Sequence, residues 1–134
     1  QAKGEFSILP IAVAEHRLSV LASVARSVAL AARSLESPVS LVVSSDMSHY
    51  VSHQQAKELD SMALGAVLQL DPPGLYAVVR EMGISMCGVL PMALGLMIAI
   101  ELGAKKAELA AYATSGDVSG DYERVVGYAG VIVS

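Results

Sequence analysis

Val39-Ser40-Leu41-Val42-Val43-Ser44-Ser45-Asp46-Met47-Ser48-His49-Tyr50 is the stretch on which the fold turns. Its first half is an almost continuous apolar, β-branched run, the pattern of a strand covered on both faces. Its second half is polar and sets a carboxylate and an imidazole three residues apart. α/β proteins gather their chemistry just beyond the carboxyl ends of such strands.

Upstream, Leu18, Leu21, Val24, Val28, Ala32 and Leu35 recur every three or four residues, with Arg17, Arg26 and Arg33 off that stripe. The spacing predicts an amphipathic helix over 17–35, stopped by Pro38. Residues 6–13 are short, apolar and bounded by charge, which predicts a strand, with Pro10 favouring an edge or a bulge. Downstream, Ala56, Leu59, Met62, Ala63 and Ala66 give a second helical stripe reaching about Leu70. Asp71-Pro72-Pro73 then restarts the chain: an acceptor side chain followed by a residue with no N–H to satisfy is a helix start. That helix should run to Met82 and end at Gly83. Pro91 opens a helix apolar nearly all round to Ile100, hence buried, with Gly103 as its stop. Residues 107–114 and 125–133 read as strands joined by a Gly- and Asp-bearing loop, an antiparallel pair. The sum is a single α/β domain over 1–134, a mixed sheet flanked by helices.

Composition narrows the function. The chain has 134 residues, 54% of them hydrophobic, and a formal net charge of −4, with nine Lys and Arg scattered along it. Such a chain has the core of a globular domain and lacks the basic stripe that nucleic acid requires. The uncharged run 84–100 is broken by Gly88, Pro91 and Gly95 and falls short of a membrane span. Lys3 and Glu5 precede an apolar stretch that ends at Glu15 and His16, unlike a secretory leader. One cysteine, Cys87, suits a reducing compartment, and the cytoplasm is the default expectation. There is no Walker loop, no GxGxxG and no nucleophile elbow.

Several residues can carry chemistry, and each has a plainer alternative. Asp46 is a carboxylate that orients a base, or the N-cap of a following helix. His49 is a base near a strand end, or a hydrogen-bonded core histidine. His49 and His53 would share a helical face as a metal pair, but no third ligand stands near them, and His53 reads better as a helix-start residue. Cys87 is an inert buried thiol, or a thiolate favoured by the helix that follows it and available to a metal. The methionines around it read as core filler. Residues 115–122 resemble a calcium loop only in composition and read as turns.

Five blocks in order, Ser44 to Tyr50, Leu70-Asp71-Pro72, Met86-Cys87-Gly88, Tyr112-Ala113-Thr114-Ser115-Gly116-Asp117 and Val126-Gly127-Tyr128-Ala129-Gly130, resemble the Memo family, including its AmmeMemoRadiSam system protein B members. The resemblance implies the C-terminal half of a LigB/Memo-like fold, related to extradiol dioxygenases that use non-haem iron. It implies a copper or iron pocket held by two histidines and a cysteine, where Cys87 matches the cysteine, His49 the general base of the dioxygenase relatives and Asp46 the neighbouring acid. The family's two metal-binding histidines belong to its N-terminal half, so the remaining ligands are expected from that half or from a second chain. The leading expectation is a Memo-like metal protein with a redox role. The rivals are a catalytically vestigial cleft that binds a peptide or protein partner and, below it, a true extradiol-type dioxygenase.

Overall fold

The computed structural model describes residues 6–134; Lys3 and Glu5 lie outside them. Helix α1 (Leu18–Arg33) is followed by a three-residue strand β1 (His49–Val51), helices α2 (His53–Leu68), α3 (Pro72–Glu81) and α4 (Val89–Leu102), strand β2 (Ala107–Thr114), a short helix α5 (Gly116–Ser119) and strand β3 (Val125–Val133). The strands form one sheet in the order β1-β3-β2. Both pairings are antiparallel, so the 107–114 and 125–133 expectation holds in bounds and direction.

Local chemistry accounts for the helix ends. The Asp71 carboxylate accepts from the Gly74 N–H at 3.0 Å, with Pro72 in the first turn. Ser52 caps α2 through the Gln55 N–H. Gly103 closes α4 in the left-handed region, φ +108°, where a Cβ would be strained.

The core has two parts. Leu21 and Ala25 of α1 pack against Leu90, Leu94 and Ile98 of α4. Met47, Ala63, Leu64, Val67, Leu75, Val79, Ile84, Met86 and Leu96 form the other, with Tyr112, Ala129 and Val131 of the sheet laid against it. Helix α4 buries residues all round, as its uniform apolarity requires. No helix among the described residues is long and apolar enough to cross a membrane.

Three expectations change. Residues 6–13 and 39–45 are not strands: neither segment joins a ladder, and Val42 is 87% exposed. An apolar, β-branched run favours extended backbone but supplies no partner for its N–H and C=O groups, and pairing is what makes a strand. The strand in this region is β1, further on, where β3 is within reach. The buried face of α2 is also rotated: it holds Ala56, Asp60, Ala63, Leu64 and Val67, while Met62 is exposed. A carboxylate takes an apolar position because polar partners meet it there. Finally, 115–122 contains a turn of helix as well as turns.

Candidate metal centre

Two irregular segments build the site. Residues 84–88 lie outside any helix or strand, with a turn at Cys87 and Gly88, and alternate in burial: Ile84, Met86 and Gly88 are buried, while Ser85 and Cys87 are exposed. That alternation leaves Ser85 and Cys87 on the open side of the backbone. The facing segment, 44–50, brings Asp46 and His49 to that same side.

Each side chain is then fixed locally. The Ser85 carbonyl lies 2.6 Å from His49 Nδ1. A carbonyl can only accept, so Nδ1 carries the proton and donates it there. In the neutral ring the lone pair is then on Nε2, and Nε2 stands 3.5 Å from Asp46 Oδ2. The His49 N–H donates to Ser85 Oγ at 2.7 Å, which ties the backbone to the same residue. Cys87 Sγ accepts from the Asp46 N–H at 3.3 Å. Ser45 Oγ in turn accepts from the Gly88 N–H at 2.9 Å, just past the cysteine. One donor atom each from Asp46, His49 and Cys87 falls within 4.8 Å of the others. The imidazole is mostly buried, the carboxylate half-exposed and the thiol exposed, so the group opens to solvent on its sulfur side.

This arrangement decides between the alternatives for several residues. Asp46 caps no helix, since α2 is capped by Ser52. Cys87 is not a buried thiol; it lies one residue ahead of Gly88, the N-cap of α4. His53 does not join His49: its Nδ1 lies 2.9 Å from Thr114 Oγ1 and its ring meets Tyr122 edge-on, with centroids 4.9 Å apart. The loop's Asp117 folds back on the sheet. Its carboxylate accepts from the Thr114 N–H at 2.7 Å, and that bond above all holds its pKa below the usual value.

Residues the sequence reading did not single out support the site from below. Asp60, fully buried, accepts from the Ser48 N–H at 2.9 Å, the Ser48 hydroxyl at 2.6 Å and the Tyr112 hydroxyl at 2.7 Å. Gly127 lies so close that a Cβ there would sit 1.9 Å from Asp60 Oδ2. Burial, then the hydrogen bond to Asp60, raises the Tyr112 pKa well above its ordinary value. Ser85 had a signal in the alternation of Ile84-Ser85-Met86-Cys87-Gly88. Asp60 had a fainter one, as an acid at a stripe position one helical turn from Ala56 and Ala63.

An α/β domain that converges a thiol, an imidazole and a carboxylate is a protein whose His/Asp/Cys group can hold a metal ion. The family model described as Memo-like protein matches residues 1–132. A MEMO1 family protein of Methanopyrus kandleri is 37% identical over 127 residues, covering 95% of this chain and 45% of its own length. One from Desulfurococcus amylolyticus is 41% identical over 128 residues, 93% of this chain and 44% of its own. One from Aquifex aeolicus is 38% identical over 131 residues, 98% and 48%. The chain belongs to the Memo-like family, and it spans about half the length of the curated relatives it matches.

Proposed function

We propose that this chain supplies one side of a copper or iron pocket in a Memo-like protein, with Cys87 as a soft metal ligand, His49 Nε2 as a general base and Asp46 as the carboxylate that steadies it. The carrying observation is the convergence of Asp46, His49 and Cys87 donor atoms within 4.8 Å, with His49 Nδ1 committed to the Ser85 carbonyl. A histidine whose second nitrogen donates to a backbone carbonyl has a fixed tautomer and a fixed free lone pair, which both a base and a metal ligand need.

The donor chemistry suits the metals named. A thiolate favours soft ions, imidazole suits copper and iron, and a carboxylate adds the hard donor common at non-haem iron. The metal, when bound, supplies a redox couple or a Lewis acid. The protein's own residues orient and exchange a proton: Nε2 accepts one from a bound ligand, with the Asp46 carboxylate 3.5 Å away to orient the ring. The thiolate argues against a conventional extradiol dioxygenase, whose iron takes two histidines and a carboxylate.

Completion of the pocket falls to the remainder of a longer chain or to a second chain. The relatives' greater length supports this, as do the exposed, unpaired apolar residues Ile8, Leu9, Val39 and Val42. A free cysteine as ligand supports a reducing compartment, the cytoplasm, as the setting for this reading.

The test is anaerobic titration of the complete protein with Cu(I) or Fe(II) against a chromophoric chelator. Stoichiometric binding is expected, weakened at least about tenfold by Cys87→Ala; unchanged affinity would sink the ligand assignment. A second reading, a vestigial cleft that binds a partner protein, draws on the apolar cleft of about 630 Å³ beside the site, lined in part by Val39, Leu41, Met47, Met86 and Leu96. On that reading His49→Ala weakens partner binding and no turnover is found.

A further inference from the structure

We infer that Asp60 is the positioning residue of the pocket: its buried carboxylate holds the backbone of Ser48 in the irregular path that turns Asp46 and His49 toward each other. The inference rests on the metal-pocket reading for its purpose, but its geometry stands apart from it.

In an unbroken strand, residues three apart point to opposite faces. Asp46 and His49 nevertheless meet at 3.5 Å, so the chain between them departs from strand geometry. The next residue shows the departure directly. Tyr50 has φ +58°, and β1 shifts register against β3 between His49 and Val51. A buried backbone that leaves the regular ladder loses regular partners, and each N–H must find another acceptor. The Met47 N–H donates to the Gly127 carbonyl and the Gly127 N–H to the Ser48 carbonyl, both at 2.9 Å. The Ser48 N–H donates to Asp60 Oδ1, and the Ser48 hydroxyl donates to the same oxygen. Oδ2 takes the Tyr112 hydroxyl, which ties α2 to β2. The carboxylate rests on the bare backbone of Gly127, where no side chain fits. An isolated buried carboxylate is strongly disfavoured. This one is satisfied by the segment that carries the site, so α2 and the site segment are held as one unit.

The two oxygens divide the work, and that division gives the test. Asp60→Asn keeps an oxygen for both Ser48 bonds and offers an N–H to the Tyr112 oxygen; Asp60→Leu keeps the volume and neither bond. Amide hydrogen exchange and Cu(I) affinity are measured on the complete protein. In Asp60→Leu, the Met47, Ser48 and His49 amides should exchange at least about tenfold faster and the affinity should fall at least about tenfold, while β2–β3 protection is retained. Asp60→Asn should restore both to within about threefold of the parent. A Leu variant with unchanged exchange at 47–49 overturns the inference, as does an Asn variant no better than Leu. If Asp60→Leu does not fold, Asp60→Ala, which also removes both Ser48 bonds, replaces it: a faster amide at residue 48 supports the clamp, and an unchanged one overturns it. If the parent protein binds no metal, the metal reading fails and the exchange data alone decide the role of Asp60.

Discussion

Gly127→Ala should be among the most damaging single-methyl additions in the molecule. Glycine inside a strand ordinarily weakens it, so adding a Cβ at an open strand position gains roughly 0.5–1 kcal/mol. At Gly127 the new carbon would sit 1.9 Å from Asp60 Oδ2 and 3.2 Å from Met47 Cβ. The carboxylate cannot swing aside cheaply, because it is fully buried and accepts three hydrogen bonds. Overpacking costs roughly 1–3 kcal/mol, and loosening hydrogen bonds to a buried charged group adds about 1.5–3 kcal/mol. Set against the backbone gain, the net loss is about 1.5–5.5 kcal/mol, a large share of the roughly 5–15 kcal/mol that holds a domain together. Urea denaturation measures it as a lower midpoint at constant slope. Gly130, on the same strand, has nothing within 4 Å of its ideal Cβ, and Gly130→Ala should be neutral or slightly stabilising. Combining Gly127→Ala with Asp60→Ala removes the clash with the carboxylate, so the double variant should match Asp60→Ala alone, a coupling equal in size to the Gly127→Ala loss. A Gly127→Ala protein as stable as Gly130→Ala would refute the reasoning.

Three further outcomes are expected. Tyr50→Gly relieves a left-handed tyrosine, φ +58°, and loses a cation–π contact with Arg124 at 5.6 Å. The balance should raise stability by about 0.5–1 kcal/mol, and a lower urea midpoint would contradict it. Asp71→Ala removes the carboxylate that accepts from the Gly74 N–H and should cost about 1 kcal/mol, read by thermal melting; Asp71→Asn should retain most of it. Because the folded state raises the Tyr112 pKa, by burial first and by Asp60 second, that group's contribution is complete below pH 10.0 and lost as pH climbs toward the raised value. The unfolded chain gives up its proton there while the folded one keeps it. Tyr112→Phe should flatten the alkaline limb of a stability profile taken between about pH 9 and pH 11; an unaltered limb would count against it.

Helices 18–33, 72–81 and 89–102 were legible from period, caps and breakers: Gly103 stops one and Asp71-Pro72 starts one, while α1 ends at Arg33, short of the Pro38 expected to stop it. The 107–114 and 125–133 pair was legible because both strands are long and close in sequence. Residues 39–45 misled, because a β-branched run specifies extended backbone while pairing depends on what lies alongside. Helix α2 misled by one register, because counting apolar residues cannot foresee that Ser48 and Tyr112 will satisfy an acid. Asp46, His49 and Cys87 were each visible as reactive types in suggestive places, yet each kept a plain alternative until a neighbour was known.

Residue chemistry alone therefore determined the α/β class, most helix limits, the C-terminal hairpin and the three side chains suspected of function. Tertiary structure alone decided that a cysteine forty-one residues from Asp46 accepts its N–H. It also decided that a serine carbonyl thirty-six residues from His49 selects the tautomer, and that Asp60 lies inside with Gly127 pressed against it. The physical reason is one of range. Propensity and capping act within a turn or two of the chain, whereas a hydrogen bond forms only when folding has brought its two groups within about 3 Å.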